Sequence, residues 1–350
     1  MSWLRDWLGV ELAVIQAPMA GVQDSTLAIA VSSAGGLGSL PCAMLSLEQM
    51  RVELAKIKAG TSKPFNVNFF CHSLPQPDPS REAAWRALLR PYYAEFGIDP
   101  STIPAGPERA PFTVAAADVL EDFPPAVVSF HFGLPSPEVL ARVKSLGARV
   151  LASATTVDEA LWLEANGADA IIAQGLEAGG HRGMFLTEDV STQIGTFALL
   201  PQVVNAVNVP VIAAGGIADA KGVVAALTLG ASAVQIGTAY MMCPEATTSA
   251  IHRKALRNGR SPHTALTRLF SGRPARGIVN RLIRELGAMN EVPPAFPLAA
   301  SALAPLRAKA ESLGDGGFSP LWCGQNASGC AECSASALTR SFMEDVKEPR

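Results

Sequence analysis

The sequence predicts an α/β fold in which eight βα units close into a (β/α)8 barrel. Short apolar or β-branched runs alternate with helical patterns as far as residue 240. Hydrophobic residues make up 49% of the 350 residues and charged residues only 17%, which suits parallel strands buried beneath helices. The runs match the eight strands that such a barrel requires: residues 14–17, 37–40, 65–69, 127–130, 150–152, 170–174, 211–214 and 233–236.

Helical patterns lie between most of these runs. Segment 46–58 carries apolar side chains at helical spacing, with charged residues on the opposite face: Leu47, Met50, Leu54 and Ile57. Segment 157–165 ends at Asn166 and Gly167, a typical helix stop. The alternation predicts a single barrel domain over residues 1–242.

Three regions depart from the repeat. The proline-rich segment 75–111 surrounds a helical pattern and is predicted to be an insertion that folds over the barrel mouth. After residue 242 the strand pattern stops, so residues 243–325 are predicted to form extra helices packed on the barrel. Residues 326–350, rich in serine, alanine and charge, are predicted to be a flexible tail.

Composition favours chemistry on a small molecule. The formal net charge is −3 and no long basic run is present, which argues against binding to nucleic acid or to an anionic membrane. The N-terminus lacks the apolar core of a secretory signal, and no apolar stretch approaches the roughly 20 residues that span a bilayer. We therefore expect a cytoplasmic protein, and the oligomeric state is left open, a homodimer included.

The six cysteines are predicted to be reduced thiols, because they are scattered through a large chain without a signal segment. Three of them cluster near the C-terminus as Cys323, Cys330 and Cys333. A structural zinc site needs a fourth ligand, and neither a histidine nor a further cysteine lies nearby in the sequence. No metal site is therefore predicted, and the role of this cluster stays open.

Glycines follow the last two strands, at the end of the barrel where active sites lie. Gly215 and Gly216 come after the seventh run, and Gly237 with Thr238 comes after the eighth. Glycine lets backbone N–H groups approach an anion closely, and the loops after strands seven and eight are the usual phosphate site of these barrels. These loops predict a phosphorylated ligand. A tight turn without a ligand is the alternative for Gly215 and Gly216.

Two histidines are candidates for the chemistry at this end. His181 lies in a glycine-flanked loop after the sixth run, which ends at Gln174. A neutral imidazole near pH 7 suits the removal of a proton from carbon, so His181 is the predicted general base. His131, just beyond the fourth run, is predicted either to line the substrate pocket or to pack beside its neighbouring phenylalanines. His252 and His263 are predicted to be surface residues.

Six motifs together resemble the nitronate monooxygenase family, across most of residues 12–285. They are Ala17-Pro-Met-Ala-Gly21, Ala34-Gly-Gly-Leu-Gly38, Ser129-Phe-His-Phe-Gly133, Gln174-Gly-Leu-Glu-Ala-Gly-Gly-His-Arg-Gly183, Ile212-Ala-Ala-Gly-Gly-Ile217 and Gln235-Ile-Gly-Thr238. The resemblance implies an FMN-dependent enzyme that oxidises alkyl nitronates, and nitroalkanes, with O2 to a carbonyl compound and nitrite. It also implies that His181 is the catalytic base.

The resemblance extends to the cofactor site. It implies that Gly215, Gly216, Gly237 and Thr238 hold the FMN phosphate with Gln235 close by, and that the isoalloxazine ring is lined by Met19, Asn68, Gln174 and Gly179. Two alternatives stay open. One is an FMN-dependent enoyl-acyl-carrier-protein reductase that uses NAD(P)H, and the other is a non-redox phosphate-binding barrel of the isomerase kind.

Overall fold

The computed structural model describes residues 3–103, 110–257 and 262–346. Its strands are β1 (Val14–Gln16), β2 (Gly38–Pro41), β3 (Phe65–Phe70), β4 (Val127–His131), β5 (Arg149–Ala154), β6 (Ala170–Gln174), β7 (Gly180–His181), β8 (Val211–Ala214), β9 (Ala233–Ile236), β10 (Thr264–Thr267) and β11 (Ala275–Ile278). All except β7, β10 and β11 belong to one parallel sheet in the order β1-β9-β8-β6-β5-β4-β3-β2. A parallel bridge between Ile15 and Leu37 brings the two edges of that sheet together. The (β/α)8 barrel predicted from the sequence is therefore confirmed.

The helices surround this sheet and extend beyond it. They are α1 (Trp3–Leu8), α2 (Ser25–Ser33), α3 (Leu47–Gly60), α4 (Pro79–Phe96), α5 (Val114–Asp122), α6 (Pro137–Ser145), α7 (Val157–Ala165), α8 (Thr196–Ala206), α9 (Ala220–Thr228), α10 (Ala250–Arg257), α11 (Arg281–Leu286), α12 (Ala299–Ser312) and α13 (Ala335–Ser341). Within the described residues, no helix combines the length and the apolar character that crossing a membrane requires.

Local sequence explains where several of these helices begin. Ser46 accepts a hydrogen bond from the backbone of Gln49 while the Gln49 side chain bonds back to Ser46, a capping box that starts α3. Asp24, Thr156 and Asp219 cap α2, α7 and α9 with one side-chain oxygen each. These four barrel helices thus start at residues whose side chains satisfy the first backbone N–H groups.

The barrel strands are buried on both faces and separate two apolar layers. One layer fills the barrel interior, where Ile15, Leu151 and Ile212 meet Leu4 of α1. The second layer lies between the strands and the surrounding helices. Burial on both faces explains the continuous apolar runs in the sequence. Because all eight strands are parallel, their carboxyl ends open at one mouth.

Residues 243–325 are not purely helical, so the prediction that the strand pattern stops after residue 242 is wrong. β10 and β11 pair antiparallel, and β11 also pairs with the short β7, which follows the sixth barrel strand. The strands are four residues or fewer, and β11 contains a buried arginine and a glycine. Neither feature produces the apolar alternation by which a strand is recognised in sequence.

The proline-rich insertion and the C-terminal region share a small core of their own. Trp85 of α4 donates its indole N–H to the carbonyl of Ala299, and Tyr93 donates its hydroxyl to the carbonyl of Ala302. Both donors belong to α4 and both acceptors to α12, and apolar side chains from α11 complete this cluster. Residues 104–109 of the predicted insertion lie outside the described residues.

The segment 326–346 is packed against the barrel, contrary to the prediction of a flexible tail. Phe342 and Leu338 of this segment are buried against the outer apolar layer. The buried hydroxyl of Thr339 bonds to the Tyr240 hydroxyl at 2.9 Å, and Ser336 donates to the carbonyl of Ala30. Small residues let α13 approach α2 closely. The same composition of small residues is typical of disordered segments, which is why the sequence predicted a flexible tail. Residues 347–350 lie outside the described residues.

Replacing Phe342 with alanine tests this packing. The side chain is 1% exposed, so Phe342→Ala should lower the free energy of unfolding by about 3–5 kcal/mol, as removal of a buried aromatic ring does. Phe197, which is 75% exposed, supplies the control. Phe197→Ala should change the free energy of unfolding by less than about 0.5 kcal/mol. Urea unfolding measures both. Equal, small effects would show that the C-terminal segment is not part of the fold.

Candidate active site

An open cavity lies at the carboxyl ends of the barrel strands, and its volume of about 1350 Å³ includes the solvent space at its mouth. Every residue singled out from the sequence for the site lines it: Met19, Asn68, His131, Gln174, Gly179, His181, Gly215, Gly216, Gln235, Gly237 and Thr238. The individual roles of these residues stay predictions.

Gly215 and Gly216 directly follow β8, and Gly237 and Thr238 directly follow β9; we call these two loops the glycine rims. The rim after β8 has a backbone conformation that favours glycine. Gly215 and Gly216 adopt φ values of 112° and 74°, which lie in the region that residues with a Cβ rarely enter. Within the described part of the chain, neither amide N–H donates to a protein acceptor. Two adjacent, unused N–H groups at a strand end are what an anion-binding turn requires.

Glu177 ties this rim to the loop after β6. Its carboxylate accepts hydrogen bonds from the backbone N–H and the hydroxyl of Thr196, each at 2.8 Å. The same hydroxyl lies 2.9 Å from the carbonyl of Gly215. A side chain at Gly175 would collide with Thr196, because a Cβ there would lie 1.9 Å from its hydroxyl oxygen. The two loops are therefore held in close contact.

A loop near the C-terminus completes the cavity wall, and sequence reasoning missed it. Trp322, Gly324 and Asn326 line the cavity. The N–H of Gly324 donates to the hydroxyl of Thr238 at 3.0 Å, and the Asn326 amide donates to the carbonyl of Gly216 at 2.8 Å. The sequence of this loop is rich in glycine and small polar residues, a pattern that is also typical of loops without a ligand.

Gln235 presents an unused acceptor at the cavity. Its side-chain Oε1 is buried, and no protein donor within the described residues reaches it. A buried polar atom without a partner costs about 1–3 kcal/mol. Such an atom in a cavity wall indicates a position where a ligand donor completes the hydrogen bonding.

His181 belongs to β7, and its imidazole lies among aromatic rings. The centroids of Phe70, Phe296 and Trp322 lie 6.0, 5.4 and 5.5 Å from the imidazole centroid. The ring Nε2 lies 2.8 Å from the hydroxyl of Ser271. The backbone of His181 pairs with Ala275 of β11. Sequence reasoning missed these neighbours, because β10 and β11 were not foreseen.

The backbone carbonyl of His181 is held by two of the predicted site residues. His131 donates from Nε2 at 3.2 Å and Gln174 donates from Nε2 at 3.0 Å. The Gln174 oxygen accepts from the N–H of Gly183 at 2.7 Å. Both ends of the Gln174 amide therefore bind the segment that carries the predicted base. Burial lowers the pKa of His131 to about 3, so this imidazole is neutral at physiological pH.

A buried arginine also holds the segment that carries the predicted base. The guanidinium of Arg182 donates to the carbonyls of Gln174 and Gly175 and to the side chain of Gln193. Burial, with a smaller effect of the Arg276 charge, lowers the pKa of Arg182 to about 10. It stays charged at neutral pH, because carbonyl oxygens solvate it in place of water.

The remaining predicted residues differ in their contacts. Met19 packs beside Gly237, where an added Cβ would lie 3.5 Å from its sulfur. The Asn68 amide donates to the hydroxyl of Ser129 at 2.9 Å.

His252 is buried, not on the surface as predicted, and its ring donates to the carbonyl of Trp322 at 3.0 Å. The short amphipathic α10 carries it beneath the C-terminal loop. His263 is exposed as expected.

His131 and His252 should make the protein less stable in mild acid. Burial lowers the pKa of His131 to about 3 and that of His252 to about 4, from an ordinary 6.5. Below pH 6.5 the unfolded chain therefore binds more protons than the folded one, and stability falls as the pH is lowered. The contribution of the two neutral histidines to stability is fully present above pH 6.5. Each histidine should contribute up to about 1.4 kcal/mol per pH unit.

Urea unfolding between pH 7 and 4.5 measures this dependence. His131→Asn and His252→Asn should each reduce the slope of unfolding free energy against pH, and the double variant should reduce it further. A slope in both single variants equal to that of the parent protein would contradict the neutral state of these two rings in the folded protein.

Comparison with known proteins identifies the family to which the chain belongs. The family model described as nitronate monooxygenase matches residues 1–345. The chain is 43% identical to a nitronate monooxygenase of Pseudomonas aeruginosa, with 97% of each chain covered. It is 41% identical to a nitronate monooxygenase of Paraburkholderia phytofirmans, with 97% of this chain and 94% of the relative covered.

Solved structures agree with this result. A nitroalkane oxidase from Streptomyces ansochromogenes is 38% identical, with a TM-score of 0.87 and coverage of 98% of this chain and 97% of the other. FabK from Thermotoga maritima is 27% identical, with a TM-score of 0.73 and coverage of 98% and 95%. The chain is an oxidoreductase, and it belongs to the nitronate monooxygenase family.

Proposed function

We propose that this protein binds FMN and oxidises alkyl nitronates with O2 to a carbonyl compound and nitrite, and that His181 acts as base toward neutral nitroalkanes. One observation carries the proposal: the His181 imidazole and the glycine rims after β8 and β9 line the same cavity. The relatives named nitronate monooxygenase and the related nitroalkane oxidase support the substrate class.

The residues present fit a phosphorylated flavin. The N–H groups of Gly215 and Gly216 are available to a phosphate, and Gly237 and Thr238 would complete that site at the start of a short 3-10 helix. The unpartnered Gln235 oxygen would accept a hydrogen bond from a cofactor donor such as a ribityl hydroxyl. Bound there, FMN would supply the redox chemistry that links oxidation of the nitronate to O2.

The surroundings of His181 suit proton abstraction from carbon. The α-hydrogen of a nitroalkane is acidic because the nitro group takes up the charge that its removal leaves. An imidazole in neutral form accepts this proton at ordinary pH. The rings of Phe70 and Trp322 lie next to it in the cavity lining and offer an apolar wall to the alkyl group. A preformed nitronate has already lost that proton and does not need the base.

A visible spectrum and nitrite release test the proposal together. The purified protein should show flavin absorption and release nitrite from an alkyl nitronate or from propionate-3-nitronate. His181→Asn should keep the flavin and lower kcat/KM for a neutral nitroalkane by about 10²–10⁴-fold, with a much smaller loss for preformed nitronates. His263→Asn, an exposed position, should behave as the parent in both assays.

Other outcomes identify the alternatives. Rapid bleaching of the flavin by NADPH under anaerobic conditions, without nitrite release from nitronates, would identify an enoyl-acyl-carrier-protein reductase. A folded protein that purifies colourless and takes up no FMN would identify a non-redox barrel. Unchanged nitroalkane turnover by His181→Asn would remove His181 as the base.

Gln235→Leu separates a role in binding from a role in folding. Removing a buried acceptor without a protein partner should leave the stability of the flavin-free protein unchanged or raise it. The same change should weaken FMN binding about tenfold, measured by titrating flavin fluorescence into the flavin-free protein. A loss of apoprotein stability with unchanged FMN affinity would show that Gln235 serves the fold alone.

A further inference from the structure

Trp322 lies next to the predicted base because both residues pair with the same edge of β11. β10 pairs with β11 along its whole length, so other partners of β11 use the opposite edge. There His181 pairs with Ala275. Two residues further along β11, Gly277 forms an antiparallel bridge with Trp322. Residues two apart in a strand share a face of the sheet, and so do their partners. The register therefore places the indole beside the imidazole, with ring centroids 5.5 Å apart.

The indole is held in a defined position. A Cβ added at Gly277 would lie 3.1 Å from Cε3 of the indole, so the ring rests directly on the backbone of β11. The buried ring of Phe270 packs edge-on against it, with centroids 5.6 Å apart and an interplanar angle of 88°. The carbonyl of Trp322 accepts from the His252 ring at 3.0 Å, and its N–H donates to the carbonyl of Pro320 at 2.9 Å. Both the ring and the main chain of Trp322 are therefore fixed.

The loop that begins at Trp322 also reaches the glycine rims. The N–H of Gly324 donates to the hydroxyl of Thr238 at 3.0 Å, and the Asn326 amide donates to the carbonyl of Gly216 at 2.8 Å. Trp322, Gly324 and Asn326 all line the cavity. One loop thus connects the predicted base to the predicted phosphate site, and its indole borders the part of the cavity next to the base.

The indole offers a substrate a large apolar surface at this place. The proton that His181 is proposed to remove is bonded to the carbon that carries the nitro group. The alkyl group on that carbon therefore lies within reach of the rings beside the imidazole, which are Trp322 and Phe70 in the cavity lining. Each methylene group that is buried against such a surface strengthens binding about fourfold.

We propose that Trp322 is a specificity-determining residue, whose indole forms the wall against which the alkyl group of the substrate packs and so sets the preferred chain length. The substrate class rests on the proposed function, whereas the position of the indole does not. A smaller side chain at position 322 leaves apolar space beside the base. A short alkyl chain cannot fill that space and loses its contacts, while a longer chain extends into it.

Nitrite release from ethyl through hexyl nitronate tests the wall. Trp322→Ala should lower kcat/KM for ethyl nitronate about tenfold and change that for hexyl nitronate less than about twofold, so the ratio of hexyl to ethyl rises. Trp322→Leu, which keeps an apolar side chain of intermediate size, should raise the ratio about threefold. Trp162→Ala, at a position that is 37% exposed on α7, should keep the ratio of the parent. Flavin content and the thermal midpoint show that each variant is folded.

An unchanged or lowered ratio in the Trp322 variants would overturn the proposal, because a purely structural role reduces turnover of every nitronate equally.

Binding of inert carboxylates separates this result from failure of the proposed function. Propionate and heptanoate have the shape and charge of ethyl and hexyl nitronate but are not oxidised, and isothermal titration calorimetry measures their binding without turnover. Trp322→Ala should weaken propionate binding about tenfold relative to heptanoate binding. If the parent releases no nitrite from any nitronate, the proposed function fails, and this comparison still decides the role of Trp322. The same relative affinity in parent and variant, or no binding of either carboxylate by a parent without activity, would overturn the inference.

Discussion

The backbone pairing between β7 and β11 is the interaction on which the arrangement of the mouth depends. Only two residues of the loop after β6, Gly180 and His181, take part in it. Without this pairing a glycine-rich loop would have many conformations of similar energy, because glycine restricts the backbone so little. With it, the predicted base becomes part of a three-stranded sheet. The chain outside the barrel therefore determines the geometry inside the cavity.

Polar contacts around this sheet remove the remaining freedom. Arg182 solvates the carbonyls at the end of β6 from within the protein, and Arg276 donates to the carbonyl of Leu176 at 2.9 Å. Glu177 joins the same loop to the rim after β8 through Thr196. The cost of burying the two guanidinium groups is offset because each has several hydrogen-bond acceptors. As a result, the loop with Gly215 and Gly216 on one side of the cavity is fixed relative to His181 on the other side.

The barrel and most of the cavity lining could be predicted from the sequence, because both depend on local patterns. Buried parallel strands produce apolar runs, and glycines directly after a strand indicate a close approach of the backbone. Ser271, Trp322 and Asn326 could not be found in this way. They reach the site through contacts between residues about 90 to 140 positions apart, and their own neighbourhoods carry no strand or helix period. The tail was misjudged for a related reason, since small residues that permit close helix packing also typify disorder.

We propose that the glycine rims hold one end of a flavin while its ring faces His181. A crystal structure of the protein purified with FMN tests this arrangement. We expect phosphate oxygens within about 3.2 Å of the amide nitrogens of Gly215 and Gly216, with the isoalloxazine ring in the cavity on the side of the His181 imidazole. A phosphate bound elsewhere, or an imidazole turned away from the ring, would contradict it.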